Sequence, residues 1–291
     1  MRDAKGTAFR GLTPKFLSDL QDVLRPILDF EKNHRNSFII EIRDNYLDLY
    51  FLGHAVKVSP AGADYNLSSA EAFRPVNFEK WPVTFRKITE TIGFASFMEE
   101  VMAKIVIHKN GDISEGVSEI NHYVNNRIVG PKNIMVIDRQ VTYGRARIDL
   151  LGLKRMPNGK LSFVIIELKN KENSEIETVF NQIEEYLNIL RNNYDDFKMT
   201  YEGILDQKIK LSLLDRRNKS EIASRDPGAE KIEGIVVLDN YNIRSDRLKR
   251  AVTNWADTDN PYGIKLFLKT NVFDERFFMT RDQAIEFTSK Y

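Results

Sequence analysis

The chain has 291 residues, 42% of them hydrophobic and 29% charged, with a formal net charge of +1 and no cysteine. That is the composition of a globular protein long enough for a core domain and an accessory one, and the missing thiols exclude disulfides, thiolate-bound zinc and iron–sulfur clusters. The near-zero charge excludes a global field that draws in polyanions, so any nucleic-acid affinity must come from a local basic surface.

No apolar run approaches the roughly 18–20 residues that a membrane span needs, and no apolar signal region opens the chain. No membrane partner and a cytoplasmic location are therefore expected. Residues 1–36 begin polar and turn helical after Thr13-Pro14, with Leu17, Leu20, Leu24, Ile27 and Leu28 at helix spacing. From Ser37 the period changes to two. Phe38–Arg43, Tyr46–Leu52 and Ala55–Ser59 read as three strands of a meander, punctuated by Asp44-Asn45 and Gly53. An aromatic, proline-bearing connection runs from Phe73 to Pro82, and Thr84–Ile107 reads as a helix interrupted near Gly93. Residues 1–110 are thus expected to form an α+β accessory domain. Its aromatics Tyr46, Tyr50, Phe51, Phe73 and Trp81 have the chemistry to stack on bases, but on half-buried strands they are expected as core.

Lys109-Asn110-Gly111-Asp112 is the expected boundary with a second domain, 111–291. There, Ile113, Val117, Ile120, Val124 and Ile128 form an amphipathic stripe ended by Gly130-Pro131, and Asn133–Val141 reads as a strand. Two apolar runs follow, Ile148–Leu153 and Leu161–Leu168, separated by Pro157-Asn158-Gly159. Proline presets φ at the first turn position, asparagine tolerates the second, and glycine supplies φ > 0 at the third. The expected connection is a three-residue loop, a type I turn closed by a glycine bulge. Met156 then faces Lys160, and counting back sets Asp149 opposite Glu167 and Arg147 opposite Lys169, all on one face. A two-residue Asn158-Gly159 turn would instead set Asp149 opposite Leu168 and throw the carboxylates to opposite faces. Opposed carboxylates repel, and a divalent cation between them reverses the sign of that interaction. Glu167 and Lys169 also follow Phe163–Ile166, a run that reads as buried on both faces, where emerging charges need partners or a metal.

The next helix opens at Ser174, with Glu177 three residues on as a capping box, and buries Ile176, Phe180, Ile183, Leu187 and Leu190. Gln182 and Tyr186, one turn apart, flank that stripe. Asp149, the Glu167-Leu168-Lys169 triplet and the Gln182-Ile183-x-x-Tyr186 helix together resemble the PD-(D/E)XK nuclease superfamily, in particular its RecB-like branch with a Q-x-x-x-Y helix. The resemblance covers about Ile113 to Thr270, and Ile148 stands where the family name has proline. It implies an α/β fold with a restriction-endonuclease-like αβββαβ core and a mixed central sheet. It also implies Mg²⁺-dependent (alternatively Mn²⁺-dependent) cleavage of phosphodiester bonds, with DNA the expected partner.

Magnesium takes oxygen ligands and keeps several waters, so Asp149 and Glu167 suffice as carboxylate ligands, with the Leu168 backbone carbonyl a third by resemblance. Lys169 is the candidate to orient or deprotonate the attacking water and to stabilise charge in the transition state. Gln182 and Tyr186 take supporting roles. Family members often add an acid from the helix before the first strand, and here Glu119, nearer the edge of the stripe than Glu115, is preferred. His122, one turn from Glu119, is expected on the surface, and the four histidines show no metal-ligand spacing. Candidate phosphate contacts are Arg145, Arg147 and Lys171. Tyr143-Gly144-Arg145 stands open as a phosphate grip or a plain exposed turn.

Residues 197–233 read as an insertion: helical over Glu202–Leu214, basic at Arg216–Lys219, loop-like around Pro227-Gly228. Gly234–Asp239 reads as a buried strand, and Ile264–Lys269 as the last one. Between them a helix, Asp246–Ala256, is capped by Ser245 and anchored through Leu248, Val252 and Trp255. Its basic head, Arg247, Lys249 and Arg250, is a second candidate phosphate contact. Two other classes stand beside a nuclease. One is a non-cleaving nucleic-acid-binding or assembly module on the same fold; on either reading a homodimer is a candidate state of the chain. The other is a small-molecule enzyme, disfavoured because no glycine-rich phosphate loop follows any strand.

Overall fold

The computed structural model describes residues 11–109, 115–126, 134–170, 174–214, 232–239, 244–257, 263–268 and 278–290. Contacts gather the chain into two units, Met1–Ile120 with Lys198–Leu214, and Asn121–Phe197 with Asp215–Tyr291. The expected boundary at 109–112 lies, Lys109 apart, outside the described residues, as do Gly130-Pro131, the basic run 216–219 and the loop at 227–228.

In the first unit, Thr13 caps α1 (Pro14–Gln21) by accepting from the Phe16 N–H. Pro26 sits in the first turn of α2 (Arg25–Asn33), where its missing N–H costs nothing. The apolar stripe of the opening segment is thus carried by two short helices. Five antiparallel strands follow in sequential order: β1 (Phe38–Ile42), β2 (Leu47–Phe51), β3 (His54–Ala61), β4 (Asp64–Ser68) and β5 (Val83–Thr84). The meander is two strands longer than its sequence suggests, because β4 alternates polar residues with only Tyr65 and Leu67. A break at Gly93, with φ +79°, separates α3 (Phe85–Thr91) from α4 (Phe94–Lys109). Tyr50, Phe51 and Phe73 are core, as expected, while Tyr46 and Trp81 are half-buried.

The insertion supplies part of this unit. The second unit contributes the start of α7 (Tyr194–Lys210), and Lys198–Leu214 clusters with the meander. Lys208 Nζ reaches the Glu41 carboxylate of β1 at 2.5 Å, both side chains wholly buried. Gln207 accepts from the Leu12 N–H at 2.9 Å and donates to the Leu12 carbonyl at 3.1 Å.

In the second unit, a six-stranded mixed sheet has the order β11-β10-β9-β8-β7-β6. β6 (Ile134–Tyr143), β7 (Ala146–Arg155) and β8 (Leu161–Asn170) are antiparallel neighbours; β9 (Glu233–Asp239) and β10 (Lys265–Leu268) continue parallel to β8, and β11 (Phe278–Met279) returns antiparallel. In chain order α5 (Glu115–Asn125) comes before β6, α6 (Val179–Asn192) follows β8, and α8 (Asp246–Asp257) and α9 (Arg281–Ser289) flank the last strands. All ten residues of β8 are buried, which a strand paired on both edges and covered on its faces requires. Phe180 of α6 stacks on Trp255 of α8 with ring centroids 4.4 Å apart. At the start of β9, Glu233 is held by Lys154 at 2.8 Å and Lys265 at 3.2 Å; burial pushes its carboxyl up, but the two ammonium groups outweigh burial and leave it below the usual range. Among the described residues no helix is long and apolar enough to cross a membrane.

Candidate metal centre

The β7–β8 turn has the geometry its sequence demands. The Gly159 N–H donates to the Met156 carbonyl at 2.8 Å and the Met156 N–H to the Lys160 carbonyl at 2.7 Å, with Gly159 at φ +81°. These bonds close a type I turn with a glycine bulge. The ladder keeps that register from Arg155↔Leu161 to Leu150↔Ile166. One further step sets Asp149 opposite Glu167. There the backbone ladder gives way to a side chain: the Leu168 N–H donates to Asp149 Oδ2 at 2.8 Å. A strand residue directs its N–H and C=O to the same edge, so the Leu168 carbonyl also lies on the Asp149 side.

Glu167 is 1% exposed, and neither of its carboxyl oxygens has a hydrogen-bond partner among the described residues. A buried carboxylate whose oxygens accept no hydrogen bond is a costly arrangement. Burial first, and then the negative charge of Asp149, push the Glu167 carboxyl well above the usual carboxylate range; the Lys169 ammonium opposes them without prevailing. Lys169 Nζ lies 3.8 Å from Glu167 Oε2 and 3.5 Å from Glu175 Oε2. Two facing carboxyls, one of them stripped of donors, fit a hard cation that brings its own waters. No group of three or more His, Asp or Glu side chains able to hold a metal gathers among the described residues, so any cation here rests on two carboxylates, backbone oxygen and water.

The face that carries the pair is fixed by a glycine. Gly234 of β9 pairs with Ile165, and a Cβ there would lie 2.9 Å from Leu187 Cδ1 and 3.1 Å from Ile183 Cδ1. Helix α6 therefore covers the Ile165 face. Side chains alternate along a strand, so Asp149, Glu167 and Lys169 share that face. Gln182 and Tyr186 of α6 lie on the same side of the sheet, joined by a bond from Gln182 Nε2 to Tyr186 Oη at 2.8 Å. No family model, curated protein or solved structure matches the chain.

Glu119 is buried on α5, in the stretch that clusters with the first unit. His122, expected on the surface, is 1% exposed, with Nε2 3.6 Å from Asp239 Oδ2 at the end of β9. That expectation failed because the buried flank of α5 is polar as well as apolar: Ser118, Glu119 and His122 are buried beside Ile120 and Tyr123, while Val117 and Val124 are half-buried. Gly144-Arg145 is a two-residue hairpin turn between the paired Tyr143 and Ala146, with Gly144 at φ +59°. The Tyr143 hydroxyl donates to the Asn193 carbonyl, and Arg145 and Arg147 are exposed. Lys171 lies outside the described residues. On α8, Arg247 is exposed and Lys249 half-buried, but Arg250 donates twice to Glu177 Oε1, at 2.8 and 3.2 Å.

The segment expected to open the helix is a 3₁₀ turn, Ser174–Thr178, ahead of α6, and the Glu177 side chain accepts from Arg250. This turn carries the residues that sequence reasoning missed: Glu175 beside Lys169, and Glu177 beside Arg250. The one signal in the sequence was two acids at a helix start, which the helix dipole explains equally well.

Proposed function

We propose that the second unit is a divalent-metal-dependent nuclease that hydrolyses phosphodiester bonds, with DNA the substrate expected, on a restriction-endonuclease-like core. The observation that carries the reading is Glu167: a buried carboxyl without a hydrogen-bond partner among the described residues, facing Asp149 and adjoining a buried lysine. The chain succession of helix, three antiparallel strands, helix and parallel strand supports the core assignment.

Asp149 and Glu167 would hold Mg²⁺ or Mn²⁺, with the Leu168 carbonyl on the same edge. Such a cation supplies an activated water and neutralises charge on the phosphate. Asp149 is oriented for this by the Leu168 N–H, which fixes one of its oxygens. The Lys169 ammonium orients the attacking water and offsets the negative charge that builds on the phosphate oxygens. Gln182 and Tyr186 act as a hydrogen-bonded pair on the helix that roofs this face, and Arg145 and Arg147 contact the phosphate backbone from the neighbouring turn.

The test is cleavage of linear, circular and single-stranded DNA and of RNA with Mg²⁺ or Mn²⁺. Lys169→Ala should lower kcat by about 10²- to 10⁴-fold with little change in KM. Binding without cleavage of any of these substrates by the wild type would return the chain to a nucleic-acid-binding module. Neither binding nor cleavage would remove nucleic acid from the reading.

A further inference from the structure

Lys169 is a buried cation with an exposed counter-ion. Its side chain is 5% exposed, that of Glu175 is 65% exposed, and Nζ stands 3.5 Å from Glu175 Oε2 and 3.8 Å from Glu167 Oε2. Neither carboxylate holds the ammonium in a short hydrogen bond. Glu175 sits where it does for reasons outside the pair. Its neighbour Ile176 is wholly buried, Glu177 is bonded twice to Arg250, and the Thr178 hydroxyl donates to the Glu175 carbonyl at 3.1 Å. The turn is pinned immediately C-terminal to Glu175, which keeps its carboxylate beside Lys169.

We propose that Glu175 is the positioning residue of Lys169, holding the ammonium off Glu167 so that both groups stay available to the reaction; this rests on the nuclease reading above. A lysine stem has four rotatable bonds and a compact point charge, so its head can settle on whichever neighbouring carboxylate is ionised. On β8 that neighbour is Glu167, 3.8 Å away, once a cation draws off its proton. Were Lys169 to close on Glu167, the carboxylate would lose its place as a cation ligand, and the ammonium its reach to water and phosphate. A second carboxylate, Glu175 at 3.5 Å, competes with that pull. Because Glu175 is largely exposed, its own charge is well hydrated and costs little to keep there.

Two measurements on the whole chain decide this. The first needs no activity: Lys169 is acylated with an N-hydroxysuccinimide ester and quantified by peptide mass spectrometry, with the buried Lys208 as internal reference. Glu175→Gln should change the Lys169 rate relative to Lys208 several-fold, and Glu175→Asp should restore it in part. An unchanged rate in Glu175→Gln overturns the proposal. The second is kinetic. Glu175→Gln should lower kcat by about tenfold, the scale of a misplaced catalytic group, with KM nearly constant. In a Lys169→Ala background the same change should have no further effect. A Glu175→Gln enzyme that turns over faster overturns the proposal, since the carboxylate would then be competing with phosphate for Lys169. If the acylation rate shifts as expected but the wild type cleaves nothing, the positioning of Lys169 stands and the nuclease reading falls.

Discussion

Burial and the adjacent Asp149 keep the Glu167 carboxyl protonated to well above the usual carboxylate range, against the pull of Lys169. A carboxyl raised in the folded state stabilises the fold fully below its unfolded pKa, and that contribution is lost as pH rises through the folded pKa. In the presence of a chelator, wild-type stability should therefore decline as pH rises from the usual carboxylate range through the raised folded pKa, and Glu167→Gln should remove that decline. At neutral pH this substitution should raise Tm by about 3 °C, the shift that about 1 kcal/mol gives in a chain of this size. A proposed cation ligand should respond to cations too. Millimolar Mg²⁺ or Mn²⁺ should raise the wild-type Tm by mass action, and both Glu167→Gln and Asp149→Asn should abolish the rise. Thermal melts with and without the metal read both effects. A wild type indifferent to both ions would leave the buried carboxyl without a cation role.

At the scale of elements, the site depends on how closely α6 lies on β9. Gly234 permits that approach because a Cβ there would meet Leu187 and Ile183 at 2.9 and 3.1 Å. Gly234→Ala overpacks this contact and should cost about 1–3 kcal/mol in chemical denaturation. It should also lower cleavage, since Gln182 and Tyr186 ride on the displaced helix. Gly159 has a different role. A Cβ there meets nothing within 4 Å, but φ is +81°. Its value is conformational, in allowing the bulge that aligns Asp149 with Glu167 rather than with Leu168.

At the scale of the molecule, residues far apart in the chain decide which segments belong together. Lys208 and Glu41, 167 positions apart, form a wholly buried ion pair inside the first unit, with Arg43 4.0 Å from the same carboxylate. Removing one partner of such a pair leaves a buried charge. Lys208→Met should destabilise the chain by about 3 kcal/mol, moderated by Arg43, and a Glu41→Gln, Lys208→Met double change should recover much of that loss. Urea unfolding of the single and double variants tests the coupling. Additive losses would mean that the pair contributes no interaction of its own.

Local physics made the hairpin legible in the sequence. The turn chemistry of Pro157-Asn158-Gly159 specifies loop length, loop length specifies register, and register places Asp149 against Glu167; each step involves neighbours along the chain or directly across one ladder. The apolar face of α6 and the anchors Leu248, Val252 and Trp255 of α8 followed from helical period in the same way. Other features have no local signature. The strand β4 lacks a full apolar alternation and is held by its partners, β3 and β5. His122 is buried because α5 covers a polar as well as an apolar flank, and Lys198–Leu214 joins the first unit through a pair closed across most of the chain. Glu175 has no partner legible in the sequence, and only the folded 3₁₀ turn brings it to Lys169. Propensity and period act over a few residues and fix elements and register. The partners of a buried charge are settled by which surfaces meet when the whole chain packs.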